Sequence, residues 1–84
     1  MIRYTVVWHD AAQDQLADRW INASDRQAVT EATNSIDKHL AWDAPLKGTA
    51  VEGDLRELVV PPLRVLVAVS EPDRLAKIVH IETI

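Results

Sequence analysis

The sequence predicts an α+β fold with the element order β-α-α-β-β-β: an antiparallel strand meander with a helical hairpin packed on one face. Three observations carry this. The chain opens on a segment with period-two apolar alternation. Two successive segments then repeat their apolar residues every three to four positions. The chain closes on three valine- and leucine-rich runs separated by proline-containing turns. One strand, two helices and three strands in that order form a sheet with the helices against one side.

The first strand is read from Arg3 to His9. Ile2, Tyr4, Val6 and Trp8 share one face, and Arg3, Thr5, Val7 and His9 the other. The first helix follows from Asp10 to Asn22, with Ala12, Leu16 and Trp20 as its apolar stripe and Asp10 as the expected cap. Asp10, Asp14 and Asp18 line another side, read as a solvated face, with a landing strip for a basic helix as the sharper alternative. Ser24 and Gln27 have the spacing of a capping box. The second helix is expected from Asp25 to about Ala41, with Val29, Ala32, Ile36 and Leu40 buried and Ala17, Ala28 and Ala32 allowing a close helix pair. Trp42 to Gly53 is read as irregular, with Trp42 folded back under the sheet.

The second strand is expected from Asp54 to Val60, the third from Leu63 to Ser70 and the fourth from Arg74 to Glu82. Pro61-Pro62 and Glu71-Pro72-Asp73 are the turns, since proline has no N–H for a strand ladder. Leu63, Val65, Val67 and Val69 form the apolar face of the third strand. On the fourth, Leu75, Lys77, Val79 and Ile81 are expected on one face, with Ala76, Ile78, His80 and Glu82 opposite. The sheet face away from the helices is left open, and functional side chains are expected there.

With 84 residues the chain is read as one domain spanning 1–84. A domain of this size buries only about 60–65% of the surface its unfolded chain exposes. There is no cysteine, hence no disulfide framework and no thiolate metal site. No segment has the length and apolarity of a signal peptide or a membrane span, so a cytoplasmic protein with no membrane partner is expected. Nine Lys and Arg against thirteen Asp and Glu give a net charge of −4, the wrong sign for a general nucleic-acid binder.

His9, His39 and His80 fall on three different elements without ligand spacing, and neither metal nor small-molecule cofactor is expected. The tryptophans are read as core and staple residues, because the basic side chains that accompany a base-stacking platform are missing. Ser70 lacks a histidine placed to activate it. Arg56 and Arg64 remain, one on each arm of the Pro61-Pro62 hairpin. If both face the open side, with Lys77 joining them, two guanidiniums would grip a phosphate or carboxylate. The equal alternative is that each pairs with a local acid such as Asp54, Glu57 or Glu82.

Three stretches, YTVVWHDAAQDQLADRW, IDKHLAWDAP and GDLRELVVPPLRVLVAVSEPDRLAKIVHI, occur in an order and spacing that resemble the RelE/ParE family of toxins from bacterial type II toxin–antitoxin modules. The resemblance covers nearly the whole chain. It implies a growth-inhibiting toxin neutralised by a cognate antitoxin, which wraps it with a helix and an extended segment. Two activities occur in the family: RelE-like cleavage of messenger RNA on the ribosome, and non-nucleolytic ParE-like poisoning of DNA gyrase. Arg56 and Arg64 match basic family positions on the hairpin and would hold and stabilise the scissile phosphate in a nuclease, with His80 as the proton-transfer group. Leu58 stands where RelE-like nucleases carry another basic residue, and His80-Ile81-Glu82-Thr83-Ile84 lacks their basic–tyrosine ending. The basic set for an endoribonuclease is therefore incomplete, and a gyrase inhibitor or a pure protein-binding module is the alternative expectation.

Overall fold

A computed structural model describes all residues from Met1 to Ile84. Its elements are β1 (Thr5–Trp8), α1 (Asp10–Asn22), α2 (Arg26–Leu40), a 3-10 turn (Ala44–Leu46), β2 (Thr49–Glu52), β3 (Leu55–Val60), β4 (Leu63–Ser70) and β5 (Leu75–Thr83). They form one five-stranded sheet in the order β1-β5-β4-β3-β2. β2 to β5 are an antiparallel meander, and β1 lies parallel to β5. The α+β class and the helical hairpin on one face are as the sequence predicts. The stretch read as irregular also holds the 3-10 turn and the edge strand β2. No helix is long and apolar enough to cross a membrane.

The core lies between the hairpin and one sheet face. Val29, Ala32, Ile36 and Leu40 project from α2, and Leu63, Val65, Val67 and Val69 alternate inward along β4. Ala12 of α1, Ala76, Ile78 and Ile81 of β5, and Tyr4 complete most of it. The inward set on β5 skips from Ile78 to Ile81 because the register with β4 shifts between Leu66 and Val67: Leu66 faces His80, while Val67 faces Ile78. The extra residue is Val79. This bulge corrects the strict alternation expected for the strand: Lys77, His80 and Glu82 share the open face, and Ile81 joins Ala76 and Ile78 in the core.

Local details also differ from the sequence reading. The α1 cap is His9, whose Nδ1 accepts the Ala11 N–H at 3.1 Å, leaving Asp10 inside the first turn. Asp25, not Ser24, caps α2 by accepting the Ala28 N–H at 3.1 Å. A carboxylate is the stronger acceptor for an unpaired N–H, and Gln27 turns instead to Glu31. Trp42 does not fold beneath the sheet: it is 38% exposed, bridged to Arg3 along the backbone and stacked against the Arg3 guanidinium. Trp20 is 42% exposed and Ala17 is exposed beside it, so the hairpin does not close on its outer side.

Candidate functional site

The structure does not bring Arg56 and Arg64 together. Val60 opposes Leu63 across Pro61-Pro62, so Arg56 lies opposite Val67, on the face turned toward the helices, while Arg64 lies opposite Val59. Val67 is wholly buried in the core, so Arg56 belongs to the covered side. At the margin of that side its Nε donates to the Lys47 carbonyl at 2.5 Å and its Nη2 to the Gly48 carbonyl at 3.2 Å. Arg56 thereby fastens the entry of β2 onto β3. The backbones approach closely here: a Cβ on Gly48 would sit 2.0 Å from the Glu57 carbonyl oxygen.

Arg64 is on the open face, and it takes the alternative that the sequence left open, pairing with the local acids Glu57 and Glu82. Its Nη2 donates to Glu82 Oε2, and its Nη1 lies 3.6 Å from Glu57 Oε2. His80 Nε2 meets the other oxygen of Glu82 at 3.1 Å. A carboxylate only accepts, so the imidazole proton is on Nε2. Glu57, Arg64, Glu82 and His80 thus form one chain of contacts across β3, β4 and β5. With neutral His80 the two carboxylates outweigh the one guanidinium. The His80 hydrogen bond, then the Arg64 guanidinium, hold the Glu82 carboxyl below the usual carboxylate range, against the opposing effect of desolvation. Lys77 shares this face, but it is paired with Ala68, four residues along β4 from Arg64. At about 3.3 Å per residue that is roughly 13 Å between backbones, and Lys77 is no part of the contact chain.

A second surface escaped the sequence reading. On the outer side of the hairpin an apolar groove of about 390 Å³ runs between α1 and α2, lined chiefly by Leu16, Ala17, Trp20, Ile21 and Val29. Trp20 Nε1 donates to Thr30 Oγ1 at 3.2 Å across the groove, and the Arg26 guanidinium stacks on the Trp20 ring. Ile21 is 59% exposed. Asp10, Asp14 and Asp18 are exposed along the neighbouring side of α1. The signal in the sequence was an apolar stripe too wide for a helix that buries only Ala12 fully.

No model of a known protein family matches the sequence, and no curated protein sequence matches it. Solved structures do match, over nearly the full length of both chains. A chain of the RelBE2 toxin–antitoxin complex from Mycobacterium tuberculosis superposes with a TM-score of 0.81 at 13% identity, covering 100% of this chain and 94% of the other. A chain of the archaeal RelE–RelB complex from Pyrococcus horikoshii gives 0.69 at 16% identity, covering 98% and 96%. A chain of the chromosomal ParDE toxin–antitoxin system from P. aeruginosa gives 0.63 at 16% identity, covering 98% and 97%. The fold is that of RelE/ParE-type toxins.

Proposed function

We propose that this chain is the toxin component of a type II toxin–antitoxin module. It is one toxin domain over residues 1–84, works in the cytoplasm, is neutralised by a cognate antitoxin and acts on a protein target such as gyrase rather than by cutting RNA. The fold supports the toxin reading. The observation that carries the choice of activity is the pairing of Arg64 with both Glu57 and Glu82. A nuclease needs positive charge free to meet a developing oxyanion, and none is free here beside His80. The groove between α1 and α2 supports the antitoxin reading, because an amphipathic helix laid in it would bury Trp20 and Ile21, and a basic flank on that helix would meet Asp14 and Asp18.

Induced expression without antitoxin tests the module and should arrest growth; normal growth with folded protein present in the cell would refute the toxin reading. Gyrase supercoiling assayed beside ribosome-dependent mRNA cleavage tests the activity. Inhibition of supercoiling without cleavage is expected, and mRNA cleavage that is lost in Arg64→Ala would establish the nuclease instead. Ile21→Asp should abolish co-purification with the antitoxin and leave the melting temperature within a few degrees of the parent.

A further inference from the structure

Trp20 and Ile21 belong to the groove on the hairpin, but two other exposed apolar side chains, Ile2 and Leu46, do not. Local structure displays them. Ala44 is fully buried and anchors the 3-10 turn, which leaves Leu46 79% exposed. The Asp43 N–H donates to the Ile2 carbonyl and the Ile2 N–H to Asp43 Oδ1, both at 2.8 Å, tying the segment before β1 to the turn. At the end of β4 away from Pro61-Pro62, Ile2, Tyr4, Asp43, Pro45, Leu46 and Glu71 line a cavity of about 190 Å³. A neighbouring cavity shares Pro45 and Glu71 and adds Asp54 to the rim. Asp43 keeps one carboxylate oxygen without a partner, and no cation of the chain pairs with Asp43 or Glu71. Arg74 lies instead over the Tyr4 ring, 5.9 Å from its centroid. Tyr4 is 3% exposed, and its hydroxyl bonds to no group of the chain; it is not sealed in, since the one enclosed side-chain polar atom without a partner is Arg19 Nε. The surface that Tyr4 keeps opens on this cavity and on one beside β1.

We propose that this cavity takes an arginine side chain from a protein partner, and that the partner is the toxin's target and not its antitoxin. Charge and shape carry the proposal together. Ile2, Pro45 and Leu46 offer aliphatic walls to the stem of the side chain, and Glu71, Asp43 and the Tyr4 hydroxyl offer acceptors to its head. A guanidinium has five donors and no acceptor, which matches a set of unpaired acceptors. Arginine is also among the residues that most often anchor protein interfaces. The same carboxylates repel nucleic acid. The groove on the hairpin is already given to the antitoxin, and the open face to a paired network, so exposed apolar and unpaired charged groups meet here at a third place. The docking of arginine stands on this geometry alone; its assignment to the target rests on the reading that the chain acts on a protein.

The test is titration of the 15N-labelled protein with the peptide acetyl-Leu-Arg-Leu-amide, beside the same peptide with citrulline, which keeps the shape of arginine without its charge. Saturable amide shifts centred on Ile2, Leu46 and Glu71 are expected with the arginine peptide. Binding should be at least about tenfold weaker for the citrulline peptide, and for the arginine peptide on Glu71→Gln, in line with a lost charge-assisted hydrogen bond. Glu71 is exposed, so its substitution spares the fold, and the amide spectrum reports this. No saturable shift, shifts centred on the groove or the open face, or equal affinity for the two peptides would each overturn the docking site. Induced expression tests the assignment to the target. Glu71→Arg, which puts like charge in the cavity, should relieve growth arrest and keep co-purification with the antitoxin. Undiminished arrest, or loss of co-purification, would overturn that assignment. A parent chain that does not arrest growth would refute the toxin reading and the assignment with it, while the titration still decides the docking site.

Discussion

Arg56 and Arg64 stand on the two arms of one hairpin but on opposite faces of the sheet, and their removal should have unequal consequences for stability. Arg56 donates to the Lys47 and Gly48 carbonyls and pins the entry of β2. Hydrogen bonds from a charged donor contribute about 1.5–3 kcal/mol each. Both carbonyls lie near the surface and regain water when the guanidinium is cut away, so Arg56→Ala should cost about 1–2 kcal/mol in all. In an 84-residue chain each kcal/mol lowers Tm by about 4–8 °C, giving a fall of roughly 4–16 °C. Arg56→Lys keeps the charge but loses the fork, and should recover less than half of the loss. Arg64→Ala removes pairs between half-exposed groups and should change stability by less than about 1 kcal/mol. Thermal and urea unfolding followed by circular dichroism measure these differences, and amide exchange should show lost protection concentrated at Thr49–Glu52 in Arg56→Ala. An Arg56→Ala protein melting within about 2 °C of the parent, or losing protection evenly across the sheet, would refute the clamp.

Three further outcomes follow from the packing and the charges. Gly48→Ala should cost more than about 2 kcal/mol, combining the left-handed backbone with the clash against Glu57, whereas Gly53→Ala, equally left-handed but with open space around it, should cost only about 1 kcal/mol; urea midpoints of the two variants isolate the clash. Ile36→Ala empties a fully buried site between α2 and the sheet and should cost about 2–5 kcal/mol by equilibrium unfolding. Glu82 titrates lower in the folded chain than in the unfolded one, so its contribution to stability is fully present above the ordinary glutamate value of about 4.3 and is lost as pH falls below it. The difference in urea midpoint between the parent and Glu82→Gln should be constant near neutrality and disappear in acid.

The element order, the α2 stripe and the inward face of β4 were legible in the sequence because each rests on a sustained apolar period. Val29, Ala32, Ile36 and Leu40 keep a helical spacing, and Leu63 to Val69 alternate without a break. The opposed faces of Arg56 and Arg64 overturn the conditional reading that both face the open side. A two-residue corner at Pro61-Pro62 makes facing residues differ in parity, so the even-numbered Arg56 shares a side with Val67 and not with Arg64. The bulge at Val79 was not legible. Nothing in LAKIVHIET marks one residue as extra, and with the shift Ile78 and Ile81 both lie in the core opposite Val67 and Val65. That single insertion puts Lys77 on the same face as His80 and Glu82, although at a distance along the sheet from Arg64. The caps failed for a local reason: His9 and Asp25 each stand one position from the residue expected, and a one-residue choice between neighbouring acceptors leaves the apolar period unchanged.

Charge placement, more than fold, bears on what the two surfaces can do. A face that grips a polyanion must present positive charge that is not already paired, since the attraction is spent once an internal acid occupies it. The contact chain of Glu57, Arg64, Glu82 and His80 meets the opposite requirement. Its acids and donors alternate across three strands at the Pro61-Pro62 end of the open face, and with neutral His80 its two carboxylates outweigh its one guanidinium. Exposed apolar side chains able to pack against a partner helix are instead gathered on the hairpin, at Trp20 and Ile21, on the far side of the molecule from that network. The two surfaces share no side chain and are separated by the core. Substitutions in the groove should therefore alter partner binding without touching the open face, and substitutions in the network should do the reverse. A single change that altered both would mean that the core transmits between them, which would require α2, packed through Ile36 and Leu40, to shift against β4.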